Sequence, residues 1–108
     1  MNIYKISQTQ NNDYDTYDSA VVIAENEKAA KRIHPDGRTV WCNKSRCWCK
    51  KYHMTGELTP VDEDSSTWCD HIRFVQVEFI GRATREDGTE VIYPPGKPRV
   101  VLASFNAG

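Results

Sequence analysis

The sequence predicts an α+β fold: a small, mostly antiparallel sheet with one short helix on a face and a Cys/Trp-rich hairpin excursion, all within a single domain spanning residues 1–108. Three observations carry this expectation. Short apolar runs rich in β-branched residues recur towards both ends of the chain. Only one stretch shows a capped helical period. Residues 36–70 hold all four cysteines and all three tryptophans yet sustain no period of either kind. A chain of 108 residues has room for one core, and 39% hydrophobic against 27% charged residues is enough to fill it.

Ile3 and Ile6, set around Tyr4 and Lys5, suit a first short strand over residues 1–7. The Asn, Asp and Thr cluster from Thr9 to Ser19 favours turns, because these side chains hydrogen-bond their own backbone. Ala20-Val21-Val22-Ile23-Ala24 reads as a buried central strand. Asn26 then caps a helix expected over residues 27–33. Glu27 sits at its positive end, Lys31 and Arg32 at its negative end, Ala29, Ala30 and Ile33 form its apolar stripe, and Pro35 stops it. A structureless loop as long as residues 36–70 does not suit so small a domain, so a β-hairpin excursion or a metal-stapled knuckle is expected there. Residues 72–80 alternate as a half-buried strand does, with Val75, Val77 and Phe79 on one side and Gln76 and Glu78 on the other. Asp87-Gly88 suits a tight hairpin turn with Val91-Ile92-Tyr93 returning, and after Pro94-Pro95-Gly96 the run from Val100 to Phe105 closes the sheet.

Fourteen basic and fifteen acidic residues leave a net charge of -1, so no field of the whole molecule draws it to nucleic acid or an anionic membrane. No stretch approaches the roughly 20 apolar residues that span a bilayer. The first residues lack both the basic start and the apolar run of a signal peptide. A cytoplasmic protein with reduced cysteines and no membrane partner is expected.

Cys42-x4-Cys47-x-Cys49 and the later Cys69 are candidate thiolate ligands for zinc, with His53 and His71 nearby; the competing reading is four packed free thiols. Cys47-x-Cys49 departs from the usual paired knuckles, and extended backbone is expected to turn its two thiols to opposite faces. Eight basic residues lie between positions 28 and 53 against Asp36 alone, with Trp41, Trp48 and Tyr52 interleaved. Arg46, Lys50 and Lys51 can pair with phosphates there while Trp41 or Trp48 stacks on a base. Residues 57–70 carry five acids and no base, so the halves of the excursion can equally neutralise each other. Tyr14, Asp15 and Tyr17 offer an aromatic and acidic surface for a protein partner, and the same loop lacks the Gly and closing Glu of a calcium site. There is no Gly-rich phosphate loop, nucleophile elbow or His-Glu-x-x-His, and His34, His53 and His71 have no partner fixed by sequence, so no catalytic activity is expected.

The run from Tyr14 to Val22, the helix opening Glu25-Asn26-Glu27-Lys28-Ala29-Ala30, the Ile33-His34-Pro35 stop and the ending Ala103-Ser104-Phe105-Asn106-Ala107-Gly108 resemble a family of small proteins encoded by tailed phages and prophages, for which no activity is established. The likeness covers about the first 40 residues, the strand from Val75 to Ala83 and the last 9 residues, and leaves the excursion unmatched. It implies a non-enzymatic accessory protein working in the cytoplasm of an infected bacterium, where it binds a host protein of a defence or regulatory system. Sequestration of a small nucleotide and a zinc-stapled nucleic-acid-binding module are the alternatives. A two-fold homodimer is the default assembly.

Overall fold

Alternation decides the first strand. In β1 (Asn2–Ser7) Tyr4 and Ile6 are buried while Lys5 between them is exposed. The computed structural model describes residues 1–12, 15–62, 66–83 and 99–106, and in it β1 lies antiparallel to β2 (Thr16–Ala24). Their register sets Tyr4 against Val22 and Ile6 against Ala20, so four core side chains meet on one face. β6 (Gln76–Arg82) flanks β1 and β7 (Arg99–Asn106) flanks β2, giving the order β6-β1-β2-β7. The expected apolar run is therefore a central strand, but that strand begins at Thr16, inside the predicted turn region. Distant partners override the local preference: the Tyr17 N–H donates to the Thr67 carbonyl at 2.8 Å, and Thr16 and Tyr17 pair with Asn106 and Phe105.

The predicted helix is reduced to a single turn, α1 (Glu27–Lys31). Its cap forms as expected, the Asn26 side chain accepting the Ala29 N–H at 2.8 Å. Ile33, assigned to the helix stripe by its spacing, instead bridges to Val40 in the extended state and is buried there. Among the described residues, two antiparallel sheets with one α-helical turn and one 3-10 turn make this a mostly-strand domain, so the α+β expectation overstates the helix. The strand expected over 72–80 also changes at its start. Ile72–Phe74 forms a 3-10 turn in which the His71 side chain accepts the Arg73 N–H at 3.0 Å, and β6 begins after Val75. Val77 and Phe79 keep their alternation opposite Ile6 and Tyr4, and the register shifts only beyond them, at Ile80; on this edge strand Phe79 is nevertheless 55% exposed, edge-on to Tyr4.

The excursion is a β-meander: β3 (Val40–Cys42), β4 (Cys47–Lys51) and β5 (Leu58–Pro60) form a second sheet in chain order. Gly56, at φ 73°, closes the turn between β4 and β5 and donates its N–H to the Tyr52 carbonyl at 2.7 Å. Trp48 and Trp68 drive the small sheet into the core of the large one, joining Tyr4, Ile6 and Val22 in one apolar cluster. The Trp48 indole N–H donates to the Cys69 carbonyl at 2.8 Å, tying strand to following loop. The predicted Asp87-Gly88 turn and the returning strand at 91–93 lie outside the described residues. No helix among the described residues is long and apolar enough to cross a membrane.

Candidate functional site

The turn that follows α1 builds the site. His34 is buried edge-on to the rings of Trp48 and Tyr17, and its Nδ1 stands 3.1 Å from the Asp36 amide and 3.2 Å from the Asp36 carboxylate. A neutral ring thus accepts from the amide, and a protonated one donates to the carboxylate. Asp36 Oδ1 accepts the N–H groups of Arg38 and Thr39, each at 2.8 Å, and Oδ2 accepts the Thr39 hydroxyl. Burial alone would raise this carboxyl, but hydrogen bonds from His34, Thr39 and the Arg38 amide outweigh it and hold it well below the usual carboxylate range. The carboxylate is thereby a fixture of the turn, and it holds the Arg38 backbone in place. Asp36, Arg38, Thr39, Lys50 and Lys51 line one surface cavity of about 380 Å³.

The charge around that cavity is unbalanced. Arg38, Lys44, Arg46, Lys50 and Lys51 are all exposed, and among the described residues no ion pair holds any of them. β4 meets β5 with Lys50 opposite Thr59 and Lys51 opposite Leu58, so the basic strand faces uncharged residues. Asp70 is engaged elsewhere, accepting from Gln10 at 2.9 Å. Among the described residues no ion pair joins the two halves of the excursion, and Glu63 and Asp64, two of the five acids the neutralisation reading invoked, lie outside the described residues. Arg46 closes the turn between β3 and β4 at φ 53°, a left-handed conformation that glycine or asparagine adopts more readily.

The structure divides the residues singled out by sequence. Lys50 and Lys51 share the cavity, and Arg46 sits at the neighbouring turn. Trp48 is 5% exposed with its N–H bonded to Cys69, so it serves the core and has no face for a base. Trp41 is half-buried, edge-on to Trp48 and His71, with its N–H on the Asn43 side chain at 3.1 Å. Tyr17 packs between His34 and Phe105 instead of presenting itself to a partner. Asp15 is exposed at φ 59°, and Tyr14 lies outside the described residues.

The four cysteines do not gather. The expectation that extended backbone parts Cys47 from Cys49 is corrected, because residues two apart in a strand share a face, and their Sγ atoms lie 3.7 Å apart. Cys42 stands directly opposite Cys47 in the ladder, on that same face. Trp48 points the other way and bonds to the Cys69 carbonyl, which places Cys69 on the core side of β4, its thiol donating to the His71 carbonyl at 3.5 Å. The proposed ligand set of Cys42, Cys47, Cys49 and Cys69 is therefore split by the sheet. Among the described residues no three His, Cys, Asp or Glu side chains are arranged to hold a metal ion. The thiols also differ in character. The Ser45 hydroxyl and N–H, placed to donate to a thiolate, pull Cys42 down. Cys49 is covered by its neighbours without lying deep, and burial followed by the nearby Cys47 and Cys42 thiols pushes it up to about 11. Burial, reinforced by the adjacent Asp70 charge, pushes Cys69 up to about 12.

Asp36, Arg38 and Thr39 were not among the sequence candidates, although Pro35-Asp36-Gly37 is a turn signal that could have located them. Comparison with family models, curated proteins and solved structures finds no match for this chain.

Proposed function

We propose that this is a non-enzymatic binding protein whose working surface is the basic small sheet, which docks on an acidic patch of a host bacterial protein. One observation carries the reading: five exposed cations on the turn after α1 and on the β3–β4 hairpin take part in no ion pair among the described residues, with the Asp36 carboxylate as the single acid in their cavity, in a chain whose net charge is -1. A local surplus within a nearly neutral molecule steers one face towards an acidic partner without drawing the whole molecule to polyanions. Arg46 supports the same reading, since a left-handed residue other than glycine is a local strain that a functional side chain explains. The phage-family resemblance supplies the cellular context.

The test is capture from bacterial lysate with the tagged chain and with Arg38→Glu/Lys50→Glu/Lys51→Glu. Proteins that wild type retains at low salt, and that salt and charge reversal both release, support the reading. An identical protein set on both baits would sink it. The cavity favours one second reading, in which Arg38, Lys50, Lys51 and the Thr39 hydroxyl bind the phosphates of a small molecule. With Trp48 buried and Trp41 half-buried against Trp48 and His71, the phosphates carry this reading, so inorganic polyphosphate should stabilise the protein against heat as well as nucleotides do. A response to nucleotides alone would return Trp41 as a base platform.

A further inference from the structure

Antiparallel neighbours directly opposite each other have Cα atoms roughly 4.5 to 5.5 Å apart, inside the window a disulfide accepts. Cys42 and Cys47 are such a pair, at the last rung of the β3–β4 ladder before the turn at 43–46. Cys47 and Cys49 have sulfur atoms only 3.7 Å apart, yet residues two apart in a strand are separated by roughly 6.5 to 7 Å between Cα atoms, at the outer limit of that window, with parallel Cβ vectors. The nearest sulfurs are thus not the pair that bonds most readily. Cys42 is half-buried beside the β3–β4 turn, where its thiol donates to the Ser45 hydroxyl at 3.5 Å, whereas Cys49 on the same face is buried. Cys69 is fully buried on the core side and out of reach.

We infer that Cys42 and Cys47 form a modification site, a cross-strand thiol pair that a low-molecular-weight disulfide of the glutathione class closes into an intramolecular disulfide. The deprotonated Cys42 sulfur attacks one sulfur of the oxidant, whose S–S bond breaks, releasing one glutathione thiolate and leaving a mixed disulfide on Cys42. Cys47 attacks the Cys42 sulfur of that mixed disulfide and expels the second glutathione thiolate, and the two protons lost by the protein thiols go to the two thiolates released. Two electrons pass from the protein to the oxidant. The new bond spans the turn that carries Lys44 and Arg46 and fixes it in one geometry, so oxidation alters the surface on which the binding reading rests. The chemistry itself is independent of that reading.

The experiment uses the whole reduced chain, treated with glutathione disulfide, alkylated and digested with trypsin and chymotrypsin before mass spectrometry. Cleavage at Lys44, Arg46 and Trp48 separates Cys42, Cys47 and Cys49 into different peptides, so unmutated protein identifies the bond. The expected product joins the Cys42 peptide to the Cys47 peptide with loss of two hydrogen atoms, while Cys49 and Cys69 are alkylated. In Cys47→Ser, glutathione should remain on Cys42. A bond that includes Cys49, glutathione persisting on wild-type Cys42, or full alkylation of all four cysteines would overturn the inference. None of these results depends on whether charge reversal changes partner capture.

Discussion

Asp36 shows how one side chain can serve a turn and a surface together. Its carboxyl is held below its ordinary range, so ionisation contributes stability above the unfolded value near 3.9, and that contribution is lost as pH falls from there towards the lower folded value. Asp36→Asn should lower stability by about 1 kcal/mol near neutral pH, and the gap to wild type should shrink on acidification below about pH 4. Urea midpoints of both proteins on either side of that range check this, and a gap indifferent to pH would show that the charge is immaterial. Trp48→Phe keeps an aromatic ring but removes the donor to the Cys69 carbonyl together with part of the indole's volume in the core, which should lower stability by at least about 1 to 2 kcal/mol in the same assay.

At the scale of elements, the short segments depend on their ends. α1 is barely one turn, too short to persist without its cap and its packing, so Asn26→Ala should cost about 1 kcal/mol while Asn26→Asp should be nearly neutral. The β3–β4 turn makes a prediction with two signs. Arg46→Gly relieves a left-handed residue and should raise the thermal midpoint by the equivalent of about 1 kcal/mol, while removing a cation from the proposed docking surface and weakening capture of its partner. Stability and binding moving in the same direction would argue against Arg46 as a binding residue.

For the whole molecule, the decisive side chain belongs to the excursion. Trp68 is fully buried and joins the cluster formed by Tyr4, Ile6 and Val22. Trp68→Ala should cost about 3 to 5 kcal/mol, a large share of the roughly 5 to 15 kcal/mol that holds a domain of this size together. Because both sheets share that core, they should melt as one unit. All three tryptophans lie in the excursion, so their fluorescence reports the small sheet, and it should change with temperature along the same curve as the far-ultraviolet circular dichroism of the whole. Two separated transitions would make the excursion an independent unit.

Legible in the sequence alone were features set by neighbours along the chain: the alternation of β1, the apolar run of β2, the Asn26 cap, and the local surplus of Arg and Lys. The period of two likewise implies that Cys47 and Cys49 share a face. Tertiary structure decided what depends on contacts between distant residues. Pairing with β7 and with Thr67 drew Thr16 and Tyr17 into a strand against their turn preference, and Val40 took Ile33 out of the helix. The core took Trp48 from the surface, and the sheet put Cys69 on the side away from Cys42, Cys47 and Cys49. Local propensity differs by about 1 kcal/mol or less between states, whereas burying one large side chain contributes about 1.5 to 3 kcal/mol, so where they conflict the distant contact prevails.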